Sequence, residues 1–366
     1  MNKIIIYIPV IICLLTCCRN SNDRYYFNGE IQYFDDSHKI VKHVSSKSVS
    51  LVGIPTGMIA VYDSLLICWD PEYHDHFFSI SNLDTGEEIG FFCEKGQGPR
   101  EATSVNCIFQ LFKKENDICS YLWAYNQSQL FLWNISQSIE KGTTVYDTIV
   151  SYEKNRYFFL FYQHEDFLFV NRPPDFLNDE EVSTPFYEKR SISTKEVIRD
   201  YRFYKEKLLR SKDVAKLENS LYTWDVMKPD GSKIAQTMTY LPQINILDTN
   251  TGDIVGFRMR NSPDFSFLET DIDMKSMIRY YNNIHADNNY IYATYWGKEQ
   301  WRDRIGNEVP LFNKIHIFDW SGKQLYELIT DRSFFRVWVD QVRNRLYSID
   351  INTDEVYYLD LNELNL

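Results

Sequence analysis

Short apolar stretches recur along the chain, and most of them are opened by a turn rich in Asp, Asn or Gly. Six copies align at one central apolar residue, and these residues are Leu66, Cys119, Leu168, Ile234, Ile291 and Tyr347. The steps between them run from 49 to 66 residues. Short apolar runs between turn signals are typical of strands, and a long recurring period indicates one repeated structural unit. The pattern therefore predicts six repeats, each with a buried strand.

A second strand pattern follows most copies and ends in a polar turn that often carries Gly. Its clear members are residues 78–86, 244–252, 315–322 and 356–360, and weaker members surround Ile135 and Ile192. Alternating apolar residues before Asp-x-x-Gly are typical of a half-buried strand entering a tight turn, because Asp accepts turn hydrogen bonds and Gly adopts positive φ. Each repeat is therefore predicted to be a small antiparallel meander.

The meanders must be packed against one another to form a core. A single meander cannot bury both faces of its sheet, whereas several packed face to face around an axis can. After a leader of sixteen residues, 350 residues remain, or about 58 per repeat, and a four-stranded blade takes roughly 40 to 50. We expect an all-β, six-bladed β-propeller of four-stranded antiparallel blades over residues 49–366, with seven blades as the alternative.

The longest step between repeats contains residues 172–222, which we interpret as the main insertion. Its sequence begins with two prolines, passes through an acidic run and continues with mixed charge. Four residues are compatible with one apolar stripe of a helix: Leu208, Leu209, Val214 and Leu217. The insertion is therefore expected to be partly helical and to pack on the propeller as a lid, with a partner groove as the alternative.

The first residues have the layout of a signal peptide, with Lys3 followed by an apolar run from Ile4 to Thr16. As a helix this run would rise about 20 Å, short of the roughly 30 Å hydrocarbon core of a bilayer. The sequence Leu14-Leu15-Thr16-Cys17 resembles the lipobox of bacterial lipoproteins. We therefore predict a leader over residues 1–16, lipidation at Cys17, and a tether and N-terminal strand region over 17–48. An ordinary secretory signal and modification of Cys18 are the alternatives.

Composition supports a folded β protein and argues against one class of partner. Aromatic residues make up 16% of the chain, and they favour the pleated surface of a sheet. The formal net charge of -12 makes a phosphate-tracking surface improbable, since nucleic-acid affinity depends largely on Lys and Arg. We expect no nucleic-acid partner, and membrane contact through the lipid anchor only.

Four of the seven cysteines lie in the predicted propeller, namely Cys68, Cys93, Cys107 and Cys119. In an oxidising compartment they could form disulfides in three connectivities. The favoured interpretation is that they are free, because Cys68 and Cys119 lie in apolar runs where cysteine behaves as a small hydrophobic residue. No spacing typical of a zinc site is present.

Several short motifs contain residue types that can bind metals or catalyse reactions. Residues 96–101 lack the Lys-Ser/Thr ending of a phosphate-binding loop and are interpreted as an inter-blade turn. Glu72, His74, Asp75 and His76 could bind a surface metal, and Glu269, Asp271 and Asp273 alternate like calcium ligands but lack the pattern of an EF-hand. We expect no metal at either place and no cofactor. No nucleophile motif is present, so no catalytic residue is assigned.

One aromatic cluster offers a further candidate for binding. It comprises Tyr292, Tyr295, Trp296 and Trp301. Such a cluster could stack on sugars or peptides. The favoured interpretation is that it fills the core between blades, because aromatic side chains are natural fillers between twisted sheets.

Two motifs carry a resemblance to a known family. Residues 227–235, with Pro229-Asp230-Gly231, look like the strand opening of the WD40-like repeats in TolB-type propellers. Residues 96–101, Gly-Gln-Gly-Pro-Arg-Glu, resemble the Gly-x-Gly-Pro-x-Glu segment between early blades of TolB-like six-bladed propeller lipoproteins of Bacteroides and its relatives. The resemblance extends from about Val49 to Leu366. It implies the fold and an exported location, and it implies no activity.

The function expected from these observations is binding. We expect an exported protein anchored by lipid in the bacterial cell envelope, facing the periplasm or the cell surface, with the outer membrane favoured. It would act as a non-enzymatic binding or scaffold propeller for a protein or glycan partner of the envelope. The alternative is a glycan hydrolase or lyase whose acidic residues meet near the axial channel.

Overall fold

The computed structural model of the chain describes residues 23–35, 37, 39–153, 158, 160–174, 183–205, 219–269, 276–299, 312–350 and 353–364. Within these ranges the chain forms six separate β-sheets. Two short helices accompany them, α1 (Asp23–Tyr26) and α2 (Ile135–Lys141), together with 3-10 turns at Phe265–Glu269 and Leu361–Leu364. The six sheets confirm the six-bladed prediction over the seven-bladed alternative.

Each of the first three blades is a four-stranded antiparallel meander in chain order. Blade 1 consists of β4 (Met58–Tyr62), β5 (Leu65–Trp69), β6 (His76–Asn82) and β7 (Glu88–Glu94). Blade 2 consists of β8 (Phe112–Lys114), β9 (Asp117–Ala124), β10 (Gln129–Asn134) and β11 (Tyr146–Ser151). Blade 3 consists of β12 (Leu160–His164), β13 (Phe167–Arg172), β14 (Phe186–Ser191) and β15 (Val197–Tyr201).

The last three blades each recruit one strand from the N-terminal part of the chain. Blade 4 consists of β16 (Thr223–Met227), β17 (Lys233–Met238), β18 (Gln243–Asp248), β19 (Ile254–Met259) and β1 (Glu30–Phe34). Blade 5 consists of β20 (Ile278–Ala286), β21 (Tyr290–Glu299), β22 (Lys314–Asp319), β23 (Gln324–Thr330) and β2 (Ile40–Val44). Blade 6 consists of β24 (Trp338–Asp340), β25 (Arg345–Ile349), β26 (Val356–Asp360) and β3 (Lys47–Ser48).

The first strand of each blade lies toward the molecular axis. Neighbouring blades meet through these strands, as in the contacts of β16 with β20, β20 with β24, and β24 with β4. The contact between β24 and β4 joins the last blade to the first. The ring is therefore closed.

The residues that define the sequence repeat all occupy one structural position. Leu66, Cys119, Leu168, Ile234, Ile291 and Tyr347 lie in the second strands of their blades, and all six are buried. This strand lies inside its sheet, and the neighbouring blades pack on the faces of that sheet. The repeat is visible in the sequence because this position must be apolar in every blade.

The hydrophobic core consists of apolar clusters between neighbouring blades. One cluster joins Phe78 of blade 1 to Trp133 of blade 2, with ring centroids 4.9 Å apart, and it also includes Tyr347 of blade 6. Four further clusters join blades 2 and 3, 3 and 4, 4 and 5, and 5 and 6. Each meander therefore buries its faces against its neighbours, which is the arrangement expected from the sequence.

Strands β1, β2 and β3 follow the outer edges of three successive blades. β1 pairs in parallel with β19, β2 pairs in parallel with β23, and β3 pairs antiparallel with β26. We call the described part of residues 23–48 the N-terminal belt. Residues 17–48 were expected to be a tether and N-terminal strand region outside the propeller, and the strands of this segment instead join blades 4, 5 and 6, so the propeller begins before residue 49. β1, β2 and β3 become the outer edge strands of these blades.

Two other expectations need correction. Residues 172–222 are not simply an insertion, because β14 and β15 lie within them and complete blade 3. β15 does not alternate apolar and polar residues, since Val197 and Ile198 are adjacent and are followed by Arg199 and Asp200. The proposed helix with Leu208, Leu209, Val214 and Leu217 lies outside the described residues.

Ile135 and Ile192 fall just after the ends of β10 and β14, and the chain continues from Asn134 into α2.

The predicted leader and Cys17 lie in residues 1–22, outside the described residues. Among the helices that the structure does describe, none has the length and apolar character needed to cross a bilayer.

Candidate functional site

Two cavities lie on the propeller axis where the inner strands converge. One, of about 350 Å³, lies at the N-terminal ends of these strands, beside residues such as Met58 and Leu160. The other, of about 430 Å³, lies at their C-terminal ends, beside residues such as Tyr62 and Met227. We call them the upper pocket and the lower pocket.

A ring of side chains separates the two pockets. These side chains come from the first strands of five blades or from the segments that immediately precede those strands. The residues that line both are Phe109, Tyr162, Val226, His285 and Trp338. The His285 ring lies 4.3 Å from the Trp338 ring, and the Trp338 indole N–H donates to the Val61 carbonyl at 2.8 Å. Burial lowers the pKa of His285 to about 3, so its imidazole is neutral at pH 7. Neutral His285 accepts a hydrogen bond from the Val339 amide at 3.2 Å.

One wall of the upper pocket comes from the connection between blades 1 and 2. Val105 forms an isolated bridge with Ala124, and the side-chain oxygen of Asn106 accepts from the Trp123 amide at 2.6 Å. The Asn106 amide group also donates to the Cys107 carbonyl at 2.8 Å. These bonds hold residues 105–109 against β9 and place Cys107 at the pocket.

The opposite wall combines aromatic rings with a guanidinium group. Tyr222 and Trp224 pack edge to face with centroids 5.6 Å apart. The Arg336 guanidinium carbon lies 5.7 Å from the centroid of the Trp224 ring and 5.8 Å from that of Phe335. Both distances fall within the range of cation–π contacts. The Ser348 hydroxyl donates to the Arg336 carbonyl at 2.6 Å and ties this backbone to β25.

Arg336 is a partly buried charged side chain, and no carboxylate among the described residues forms an ion pair with it. Its Nε has no hydrogen-bond partner. Burial lowers the pKa of Arg336 from its usual value, although a guanidinium keeps its charge in proteins. Burial also raises the pKa of the neighbouring Cys107 thiol to about 11, so that thiol is neutral at pH 7.

Asp225 is the carboxylate among the described residues that line the upper pocket, and it is already hydrogen-bonded. Its Oδ2 accepts from the side-chain amide of Asn171 at 2.7 Å and from the hydroxyl of Tyr187. Burial raises the pKa of Asp225, while these hydrogen bonds act in the opposite direction. Asp225 is therefore held in the wall of the pocket by blade 3.

A row of buried polar side chains crosses blade 4 from Asp225 to the N-terminal belt. Gln236 lies opposite Asp225 and accepts from Asn245 at 3.0 Å. The remaining links run from Gln243 to Asn245 at 2.6 Å, from Arg258 to Gln243 at 2.6 Å, and from Arg258 to Asp23 at 2.8 and 3.0 Å. The row joins all four strands of the meander to α1.

The residues considered as metal ligands in the sequence lie away from the axis. His74 and Asp75 form an exposed pair 2.5 Å apart between β5 and β6. Glu269 ends a 3-10 turn, whereas Asp271 and Asp273 lie outside the described residues. In the part of the chain that the structure describes, no group of three or more potential ligands has the geometry for a metal.

Residues 96–101 form the connection between blades 1 and 2, as predicted. The Glu101 carboxylate accepts from the Gly98 amide at 2.9 Å and folds over the segment. A Cβ at position 96 would lie 1.9 Å from Glu101 Oε2, so a side chain there would displace this carboxylate from its present position. The Arg100 guanidinium donates to the Tyr146 carbonyl of blade 2 at 3.0 Å. The motif is therefore a structural joint between two blades.

The aromatic cluster and three of the four cysteines pack inside the protein, whereas Cys107 lies at the upper pocket. Tyr292 is buried and donates to the Asp287 carboxylate at 2.9 Å, Tyr295 stacks on His316 at 4.1 Å, and Trp296 packs on Phe312 at 4.7 Å. Trp301 lies outside the described residues. Cys68, Cys93, Cys107 and Cys119 are all free, which agrees with the favoured interpretation.

The upper pocket could not be identified from the sequence. Cys107 was singled out, but only as a cysteine of the domain, and neither Arg336 nor Trp224 was singled out. The position of Trp224 and Arg336 in their repeats could have indicated the pocket, because each lies at or just before the first strand of a blade. The first strands converge at the axis, so residues at their N-terminal ends are placed together.

Six closed blades around an axial pocket define the protein as a six-bladed β-propeller. A family model described as "TolB-like 6-blade propeller-like" matches residues 34–342, and the chain belongs to this family. The resemblance stated from the two short motifs is thereby confirmed.

Two solved structures from Bacteroides are similar to the chain at low sequence identity. A member of the DUF4221 family from Bacteroides vulgatus is 10% identical, with a TM-score of 0.53, and the match covers 91% of this chain and 96% of that one. A protein of Bacteroides fragilis described as a candidate exported protein is 14% identical, with a TM-score of 0.48, and the match covers 90% and 98%. No curated protein matches the chain. These likenesses concern the fold alone.

Proposed function

We propose that this protein is a lipid-anchored propeller of the bacterial cell envelope that binds a ligand or partner at the upper pocket and does not catalyse a reaction. The observation that carries the proposal is the pocket itself. Its volume of about 350 Å³ falls in the usual range of small-molecule sites, roughly 300 to 1,000 Å³. Its walls combine aromatic rings with a few polar groups, as is typical of binding sites.

The side chains of the pocket favour binding over glycan hydrolysis. A glycoside hydrolase generally uses two carboxyl groups separated by roughly 5 to 10 Å. The described lining of the upper pocket contributes Asp225, whose Oδ2 is already occupied by Asn171 and Tyr187. His285 is neutral, and its Nδ1 accepts from a backbone amide. Asp225 and His285 are each held by other residues of the propeller, which supports a role in the pocket wall rather than as an acid–base pair.

The leader and the belt together support anchoring beside blade 4. Asp23 is fixed to Arg258 on the outer strand of that blade, and Cys17 precedes Asp23 by six residues. Six extended residues span at most about 20 Å. If Cys17 carries the lipid, the rim of blade 4 lies within that distance of the membrane surface.

Capture from the native envelope tests the binding role. We expect the full lipoprotein, solubilised in detergent, to retain a stoichiometric partner or co-purifying small molecule. Trp224→Ala should lose it, while Ile198→Ala, an exposed position on blade 3, should keep it. Circular dichroism of both variants checks that they fold. Turnover of a glycan panel by the purified protein would contradict the proposal.

Metabolic labelling tests the anchor separately. A palmitate analogue should label the wild-type chain and not Cys17→Ala. Equal labelling of the two proteins would contradict lipidation at Cys17.

A further inference from the structure

We propose that the upper pocket binds the carboxylate of a small organic acid through Arg336, with the ring of that acid against the aromatic wall. This inference rests on the proposed function and names the class of ligand. The Arg336 guanidinium is charged, whereas the neighbouring Cys107 thiol and Tyr222 hydroxyl are neutral at pH 7.

The guanidinium of Arg336 lacks a counter-charge within the described structure. It lies over Trp224 at 5.7 Å, and its Nε is buried without a hydrogen-bond partner. Native proteins normally pair buried charges, because an unpaired one loses its hydration without compensation. An anion that enters the pocket would supply the missing partner.

The neighbouring groups do not neutralise this charge. Cys107 is uncharged at pH 7 because burial raises its pKa to about 11, and burial also raises the pKa of Tyr222. Arg336 and Arg279 both act on Tyr222 toward a lower pKa and Asp225 acts toward a higher one, so two cations and one carboxylate lie near this hydroxyl. The nearby carboxylate, Asp225, is engaged by Asn171 and Tyr187.

A second buried arginine shows how the same fold treats a structural charge. Arg258 donates two hydrogen bonds to Asp23 and one to Gln243, and it also lies over the Phe265 ring at 5.0 Å. Arg336 has the comparable aromatic contacts without the carboxylate. The difference is consistent with a carboxylate that arrives from outside the chain.

The geometry of the wall selects the class of anion. A guanidinium can bind a carboxylate through two parallel hydrogen bonds, which adds orientation to charge attraction. The Trp224 and Tyr222 rings beside it suit a flat carbon body. Aromatic acids and acidic sugars both carry a carboxylate on a ring that can lie against these aromatic side chains. Both are therefore candidate ligands.

Calorimetry with matched acid and amide probes tests the inference on the full chain in detergent. Phenylacetate should bind at least about ten-fold more tightly than phenylacetamide, because only the acid can pair with Arg336. Methyl glucuronide and methyl glucoside form the second pair and distinguish a sugar source from an aromatic one. An advantage of the acid over the neutral probe in either pair supports the proposal.

Variants test whether Arg336 is responsible for the tighter binding of the acid probe. Arg336→Met should abolish the advantage of the acid, Arg336→Lys should retain part of it, and Arg260→Met, at an exposed position, should leave it intact. If Arg336→Met does not fold, Arg336→Gln serves in its place.

The outcomes separate this inference from the proposed function. Equal binding of acid and neutral probe, with both lost in Trp224→Ala, would overturn the role of Arg336 and leave a binding pocket in place. Absence of binding by all four probes would overturn the inference, and capture from the envelope would then decide the proposed function independently.

Discussion

The N-terminal belt is attached to blade 4 and to blade 6 by charged groups in opposite environments. At blade 4, Asp23 pairs with Arg258, and the two side chains are 3% and 1% exposed. At blade 6, Lys47 pairs with Glu363, and the two are 46% and 61% exposed. Blade 5 lies between these extremes, with Lys39 and Glu327 at 11% and 8%.

The ion pairs become more exposed from blade 4 to blade 6, and this difference predicts where the belt is held most strongly. A buried ion pair is costly to form, and removing one partner leaves an uncompensated charge in the protein interior. An exposed pair gains little, because water screens the charges and two long side chains lose freedom. We therefore expect the belt to depend on its attachment to blade 4 and to tolerate changes at blade 6.

The largest expected effect is that of Asp23→Ala. This substitution leaves Arg258 buried without its carboxylate and removes an acceptor for the Tyr33 hydroxyl at 3.2 Å. We expect the free energy of unfolding to fall by about 3–5 kcal/mol. Urea unfolding followed by circular dichroism measures this difference.

A double variant distinguishes the unpaired charge from simple loss of contacts. Asp23→Ala combined with Arg258→Met removes both charges, and we expect it to recover part of the stability. If the double variant were less stable than the sum of the single variants predicts, the account of a buried pair would be wrong.

The second prediction concerns acid stability at blade 5. The carboxylate of Glu327 lies 3.0 Å from His316 Nε2 and 3.0 Å from Lys39 Nζ. The His316 hydrogen bond is the largest cause that lowers the pKa of Glu327 from 4.5 to about 2. Because the folded pKa is below the unfolded one, this carboxylate stabilises the fold above about pH 4.5. That contribution is lost as the pH falls toward 2.

Glu327→Gln tests this dependence. We expect a loss of about 1–3 kcal/mol at pH 7 and a shallower loss of stability between pH 5 and pH 3 than in the wild type. Glu363→Gln on the exposed pair is the matched control and should keep the wild-type slope. Identical slopes for wild type and Glu327→Gln would contradict the assignment.

The third prediction sharpens the contrast between the two buried arginines. Arg336→Met removes a charge that has no carboxylate partner, so we expect the free energy of unfolding to rise by about 1 kcal/mol. Arg258→Met should lower it, because Asp23 would lose its partner. A strong destabilisation by Arg336→Met would instead give this arginine a structural role.

The smallest expected effect is at blade 6. Lys47→Ala removes the exposed contacts with Glu363 at 2.6 Å and Asp360 at 3.8 Å. The urea midpoint should stay within the error of the measurement, because both charges are hydrated in either state. A clear shift of the midpoint would show that closure of the ring depends on this pair.

The fold could be predicted where local chemistry repeats. Gly231 has φ 73°, and Asp230 accepts from the Ser232 amide at 2.9 Å, so this turn can be recognised from its sequence. Blade 3 was harder to recognise. The outer strand β15 is exposed at four of its five residues, and its adjacent Val197 and Ile198 do not alternate with polar residues, so it lacks the pattern of a half-buried strand.

The candidate site could not be predicted, because its members are distant in the chain. Cys107, Trp224 and Arg336 belong to three different blades or their leading segments, and none lies in a recognisable motif. Each is ordinary in its local sequence. Only convergence of the inner strands makes them neighbours.

The sequence by itself determined the number and type of sheets, because strand alternation and turn chemistry act over a few residues and recur in every blade. Only the tertiary structure decided that β1 and β2 join blades 4 and 5 in parallel, since such pairing depends on edges that exist after the blades have formed. Tertiary structure likewise decided that Arg258 meets a carboxylate and Arg336 does not, because burial and partners are properties of the closed ring.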